Sequence, residues 1–465
     1  MSNALTRYGI TSKMILMNAV LLFGGFITIL NQTLLTPALP SIMREMQVDA
    51  STAQWLTTGF MLVNGIMIPV TAYLIDRFTT RRLFFASMGL FTLGTALCAI
   101  SSNFIMVLIA RMLQAAGAGI LMPMGQTIML LTIPRQYRGV GMGMIGLVMG
   151  VAPAVGPVIA GLVIDAFGWH ILFYAMVPLA LLTILVAYFY LENLGECSHL
   201  TLDMPSVVLS TLGFGGLLYS FSAIGSAGFS TTVLVTLLVG AVALILFVHR
   251  QLHLEEPLLK IHILTNRKFA ISVILTMLVQ AALIVGTVLN PIYIQTIRGY
   301  GASVSGFLML PASIAMLIMS PISGRLFDKF GPRKLAIPGL FLAATFTLPL
   351  VIMNENTSLF YLSFVYMVRT IGLSLVNMPL NTWGLNALDN KVMAHGTAIG
   401  NTFRQVAGSL GTAILITVMS IAVAASEDPT SVLTQIHGIN MAYLGAALMM
   451  FTAFVLTIIF VKENN

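Results

Sequence analysis

Gly324-Arg325-Leu326-Phe327-Asp328-Lys329-Phe330-Gly331-Pro332-Arg333-Lys334 is a short charged turn caught between two long apolar runs. Half a chain earlier, Ala72-Tyr73-Leu74-Ile75-Asp76-Arg77-Phe78-Thr79-Thr80-Arg81-Arg82 occupies the same kind of position, with the same order of small residue, Leu, Asp and basic cluster. Two such turns in matching places imply an internal duplication.

The composition names the solvent. Of 465 residues, 58% are hydrophobic and only 8% charged, where a soluble globule carries about 25% charged residues. This chain is built for lipid. The formal charge of +7 is spread over short turns between apolar runs, so it marks membrane topology and not a nucleic-acid surface. Cys98 lies in an apolar run and Cys197 in a polar connection, too few and too dispersed for a disulfide framework or a metal cluster, and both are expected to be reduced thiols. The histidines have no metal-ligand spacing. No nucleophile with base and orienter, no Walker loop and no metal cluster is present, which argues against an enzyme, against ATP as direct energy source, and against any cofactor.

A hydrocarbon core of about 30 Å asks for about 20 apolar residues per helix. Fourteen runs qualify, near 14–36, 52–75, 82–101, 104–132, 139–165, 170–191, 205–225, 230–250, 268–296, 303–326, 334–353, 358–388, 392–424 and 439–461. The first follows Arg7 and Lys13, is too long for the apolar region of a cleaved signal and lacks an obvious cleavage site, so it is expected to remain as a span. Helices are forced, since the runs are too long and too unalternating for barrel strands. With the N-terminus inside, only Arg44 and Arg298 of the 22 Lys and Arg residues fall outside, and Arg111, Arg369 and Arg404 fall within spans. The positive-inside rule therefore puts both termini in the cytoplasm.

Polar stretches bracket spans 7 and 8. Setting that pair aside leaves six spans and six, with Asp76 matching Asp328 and Arg111 matching Arg369. The expected division is an N-terminal six-helix half at 1–191, an inserted hairpin with cytoplasmic linkers at 192–267, and a C-terminal half at 268–465. Two parallel six-helix halves, with a site near the midplane between them, are the plan of a secondary transporter.

The motifs resemble the major facilitator superfamily, specifically its fourteen-span drug:proton antiporter branch, over nearly the whole chain. Gly324-x-Leu326-x-Asp328-x-x-Gly331-x-Arg333-Lys334 is a full copy of the superfamily's loop signature, and the first copy has Ala72 and Thr79 where the pattern has glycines. Arg111-Met112-Leu113-Gln114 followed by Gly117 and Gly119 looks like the span 4 motif, with Ala115 in place of a glycine. Pro153, Gly156, Pro157 and Gly161 look like the antiporter signature of span 5, with Ala160 replacing one glycine. Asn31-Gln32-Thr33, Ala38-Leu39-Pro40 and Gln54-Trp55-Leu56-Thr57-Thr58-Gly59 are similar to lincomycin-type multidrug pumps.

Each motif has a mechanical reading and a plainer one. The turns carrying Asp76, Arg77 and Arg81, and Gly324, Asp328, Gly331 and Arg333, read as a cytoplasmic latch or as solvated topology markers; the duplication favours the latch. The span 5 glycines admit a close neighbour, and Pro153 and Pro157 allow a bend. By the resemblance, spans 1, 4, 9 and 12 line a cavity with Asn31, Gln32, Arg111, Gln114, Asn290, Tyr293, Arg369, Asn377, Asn381 and Trp383, to which Arg404 of span 13 is added. The arginines either meet an anionic group or cap backbone carbonyls; at mid-membrane each costs about 2.5 to 3.5 kcal/mol on insertion scales. Some of the 30 methionines would supply a soft cavity wall. Many relatives of this branch carry an acid in span 1, where this chain has the non-titrating Gln32. Asp165 is left as the proton-coupling candidate, or as a solvated helix-end carboxylate. His170, beside Trp169, reads as an interfacial anchor.

The resemblance implies an exporter of drugs or other amphiphilic small molecules, working by alternating access in exchange for protons. Its partners are the small-molecule substrate, protons and the lipid bilayer, with no nucleic acid. A monomer in a bacterial-type cytoplasmic membrane is expected. A uniporter or importer of a metabolite, or a non-transporting sensor, are the other readings, and the absent span 1 acid favours neutral, zwitterionic or anionic substrates over dications.

Overall fold

The computed structural model describes residues 12–194, 202–227, 230–426 and 428–462, and no strand occurs among them. Backbone groups in hydrocarbon have no water to bond, so each apolar run closes its hydrogen bonds internally as a helix. The first six helices are α1 (Ser12–Met46), α2 (Ala50–Arg77), α3 (Thr80–Ala99), α4 (Phe104–Thr132), α5 (Arg138–Phe167) and α6 (His170–Tyr190). A hairpin of α7 (Met204–Ala227) and α8 (Thr231–His253) follows. The rest of the chain forms α9 (Arg267–Pro291), α10 (Ala302–Thr347), α11 (Leu359–Ser374), α12 (Asn377–Asn386), α13 (Met393–Ala424) and α14 (Val432–Phe460). By length and composition, 12 stretches among the described residues are able to cross a membrane.

Helices begin where a polar side chain replaces water at the first free N–H groups. Asp49 accepts from the Thr52 N–H at 2.7 Å ahead of α2, and Asn103 accepts from Met106 at 2.9 Å ahead of α4. Proline and glycine explain where the helices depart from the apolar runs. α1 continues through Pro37 and Pro40 to Met46, because the fixed φ of proline is close to helical and each ring removes only one N–H from the ladder. The run 358–388 is broken into α11 and α12, with Pro379 in the first turn of α12, where its missing N–H costs no bond within that helix. α10, at 46 residues, would extend roughly 70 Å if straight, and instead it turns at Gly331, whose φ of 78° only glycine adopts without strain.

Two apolar cores form independently. One draws on residues from Met17 to Leu191, the other on residues from Leu275 to Val461. A third crosses between them and includes Tyr73, Met142, Phe214, Phe247, Leu258, Leu259, Met378 and Met393. α5 packs along α10, and α2 and α4 pack on α13; α7 rests against both α2 and α13. On the outside, Leu238 and Ile245 of α8 are 66% and 68% exposed, apolar side chains that suit lipid.

Along α5, Gly139, Gly143, Gly146 and Gly150 form one face toward α10. A Cβ at Gly143 would lie 2.7 Å from the Ser320 carbonyl oxygen, and one at Gly139 would lie 2.5 Å from the Gly324 carbonyl oxygen. The two backbones touch because this face has no side chains. Gly156 turns elsewhere, toward Thr33 of α1, which also donates its hydroxyl to the Ala152 carbonyl at 3.2 Å.

Gly143→Ala is therefore expected to lower the thermal unfolding midpoint in detergent micelles. Gly89→Ala, where a Cβ meets nothing within 4 Å, should hold or raise it by up to about 1 kcal/mol of helix propensity. Equal behaviour of the two variants would contradict the close seam.

Candidate functional site

Each charged turn reaches across to a helix of the other apolar core. Asp328, on α10, accepts hydrogen bonds from the backbone N–H groups of Gly139 at 2.8 Å and Val140 at 2.9 Å. Both lie in the first turn of α5, where N–H groups have no partner within the helix and the dipole favours an anion. Gly139 makes room, since a Cβ there would be 2.4 Å from Asp328 Oδ1. Next to it Arg138 reaches across to Asn386 Oδ1 and Asn390 Oδ1, each at 3.0 Å.

The other copy is related. Asp76, in the last turn of α2, lies 3.1 Å from Nε2 of His395, a fully buried side chain in the first turn of α13. Asp76 and Asp328 thus each meet the first turn of a helix in the opposite half. The basic residues of the turns do other work: Arg81 donates to the Tyr188 carbonyl at 3.0 Å and stacks on Phe85 and Tyr188, all in its own half. Arg77 and Arg333 are half-buried in their turns. The sequence pointed to carboxylate–cation networks, whereas the partner of Asp328 is a helix start. His395 and Arg138 were missed; their one signal is a charged or titratable residue at the very start of an apolar run.

Within the membrane the three arginines are buried. Arg111 donates from Nη1 to Asn31 Oδ1 and Gln114 Oε1, both at 2.7 Å, and lies 4.3 Å over the Phe60 ring. Gln114 in turn donates to Thr95 at 3.0 Å. Arg369 is the counterpart: it donates from Nε to Thr347 at 3.0 Å and from Nη2 to the Ala282 carbonyl, with Tyr366 alongside. Arg404 donates to Asn401, whose amide donates to Gln126 Oε1 of α4 at 2.9 Å, and next to Gln126 the hydroxyl of Thr127 meets that of Thr397 at 2.5 Å. No ion pair to a carboxylate occurs at any of the three among the described residues, and Arg111 Nε and Nη2, Arg369 Nη1 and Arg404 Nη1 have no hydrogen-bond partner there.

The remaining candidates scatter. Gln32 is half-buried beside Asn31. Asn290 accepts from the Tyr443 hydroxyl at 2.6 Å, while Tyr293, just past the end of α9, donates to the Asn354 carbonyl at 2.7 Å and accepts from Arg298 at 2.9 Å. Asn377, Asn381 and Trp383 are buried on α12, and Asn377 Oδ1, Asn381 Nδ2 and Trp383 Nε1 are unpartnered among the described residues. A small void between α5, α10 and α12 is walled by Gly146, Met149, Met316, Ser374, Asn377 and Met378. Pro153 is exposed on α5; the surroundings of Pro157, Gly161 and Asp165 lie outside the described residues, as does Cys197. His170 meets the Ser101 carbonyl at 3.0 Å and Trp169 donates to Glu45 at 2.7 Å, which ties the start of α6 to α1 and to the end of α3.

This chain belongs to the Major Facilitator Superfamily, whose family model matches residues 21–412. It is a multi-pass membrane transporter and not an enzyme. It is 45% identical over 447 residues to the uncharacterized MFS-type transporter YcnB of Bacillus subtilis, covering 96% of this chain and 95% of that one. It is 39% identical over 403 residues to the lincomycin resistance protein LmrB of Listeria monocytogenes, covering 86% of each. In fold it is similar to the human organic anion transporter MFSD10, with a TM-score of 0.70 at 12% identity over 96% of this chain and 99% of that one.

Asp328→Ala would strand two N–H groups at the half-to-half contact, each worth about 1–3 kcal/mol when buried and unpaired. Its thermal midpoint is expected below that of Asp328→Asn, which keeps one acceptor oxygen, with wild type highest. An Asp328→Ala midpoint equal to wild type would remove the contact from the account.

Proposed function

We propose that the protein exports amphiphilic small molecules of neutral, zwitterionic or anionic charge by alternating access, in exchange for protons, through fourteen spans arranged as two six-helix halves with the α7–α8 hairpin inserted. The observation that carries this reading is the pair of carboxylate contacts between halves, Asp328 to Gly139 and Val140, and Asp76 to His395. Both sit at one end of the molecule, hold the halves together there, and release when the halves part. A static bundle needs neither.

The fourteen spans are supported by the turn of α10 at Gly331, by the length of α5, and by α11 and α12 lying in one apolar stretch. Substrate charge follows from the arginines. Arg111, Arg369 and Arg404 make the interior electropositive with no described carboxylate beside them, so a dication finds nothing to offset it and an anion finds free N–H donors. The name of the Listeria relative supports drug export, and that of the human fold neighbour is in keeping with anionic cargo. The cavity is assigned to Asn31, Gln32, Arg111, Gln114, Asn290, Tyr293, Arg369, Asn377, Asn381, Trp383 and Arg404, and proton coupling to Asp165. Gln32 favours one second reading, a uniporter, because it cannot carry a proton.

Inside-out vesicles under an imposed pH gradient test both. Uptake of anionic and neutral drugs is expected to collapse with an uncoupler and to be impaired in Asp165→Asn. Uptake indifferent to the uncoupler would establish the uniporter, and dicationic dyes moved as well as anions would contradict the charge preference.

A further inference from the structure

We propose that the inserted hairpin is a third part of the cytoplasmic gate, acting through His395 as a positioning residue; this rests on reading the Asp76–His395 contact as part of that gate. A continuous line of hydrogen bonds runs from the base of the hairpin to Asp76. Arg250 of α8 holds Asp203, just before α7, through two bonds of 2.7 Å. Those bonds and the Ser206 hydroxyl keep the Asp203 carboxyl down to about 2, so the base of the hairpin stays an ion pair at any cytoplasmic pH. Gln251 Nε2 donates to the Ser206 hydroxyl at 2.5 Å, and Gln251 Oε1 accepts from the Leu259 N–H at 3.0 Å. The next N–H, that of Lys260, donates to His395 Nδ1 at 3.3 Å.

That last bond fixes the imidazole. A backbone N–H only donates, so Nδ1 is the lone-pair nitrogen and the ring proton sits on Nε2, directed at Asp76 Oδ2 at 3.1 Å. The linker thereby selects the tautomer the latch needs. Packing says which way it moves. Leu258, Leu259 and Ile263 are buried, and a Cβ at Gly396 of α13 would come within 3.9 Å of Ile263 Cδ1. The linker is therefore seated on the first turns of α13, while α7 spans the α2–α13 seam. When those helices separate, His395 stays with the linker and releases Asp76.

The test is maleimide labelling of Ala394→Cys, a position 5% exposed next to His395, in inside-out vesicles and a background lacking Cys98 and Cys197. Gln251→Leu touches neither Asp76 nor His395, yet it is expected to raise the labelling rate about two- to tenfold, the range of one ordinary hydrogen bond. His395→Gln keeps a donor toward Asp76 without the Nδ1 acceptor and should do the same, and the double variant should label no faster than either single. Ser220→Ala, which loosens the hairpin at its 2.9 Å contact with Thr236, should leave the rate unchanged. An unaltered rate in Gln251→Leu, multiplying effects in the double variant, or an equal rise in Ser220→Ala would each overturn the proposal. Asp76→Asn separates the two levels: no rise there fails the gate itself, whereas a rise there with none in Gln251→Leu fails only the hairpin's part in it.

Discussion

The first N–H groups of a helix have no acceptor within that helix, and at the start of α5 the groups of Gly139 and Val140 find theirs in Asp328, far along the chain on α10. Much of the architecture serves this one contact. Gly139 and Gly143 lack side chains so that α5 and α10 approach closely, and Gly331 takes a positive φ so that the turn carrying Asp328 folds back. The contact is of a size that can be reversed. Water would replace the carboxylate if α5 and α10 parted there, so its net value is that of one or two charge-assisted hydrogen bonds, a few kcal/mol. A bond of that size biases a two-state equilibrium without locking it.

Against this reversible end stands an interior that is permanently charged. Arg111 and Arg369 occupy matching places in their halves, each bonded to a threonine on a neighbouring helix, through Gln114 to Thr95 or directly to Thr347, and each close to an aromatic ring. Uncharged polar groups and an aromatic face offset part of the cost of burying a guanidinium, and the remaining N–H groups keep their capacity to bond. Arg404 differs because its line through Asn401 ends on Gln126 of the other half.

Lipid made the fold legible. Long apolar runs allow only helices, and the repeated Asp76 and Asp328 turns exposed the duplication without any packing information. The break between α11 and α12 left only a weak mark, since Pro379 favours a helix start there while Pro37 and Pro40 sit within unbroken α1, and an apolar run alone does not tell the two apart. Partners were the hard part. A backbone N–H leaves no mark in a sequence, so the acceptor role of Asp328 was hidden behind its basic neighbours. His395 looked like one more loop histidine until the fold brought Asp76 to one of its nitrogens and Lys260 to the other. Gln126 was invisible for the same reason: a lone amide in an apolar helix acquires meaning only opposite Asn401.

The measurement that bears most directly on this account is the distance between spin labels at the end of α2 and the start of α13, at Phe78 and Lys391, both exposed. Pulsed electron resonance on the wild-type chain should give a dominant short distance, and the Asp76→Asn/Asp328→Asn double variant should shift population to a distinctly longer one. A distance distribution unchanged by the double substitution would contradict the claim that these two carboxylates hold the halves together.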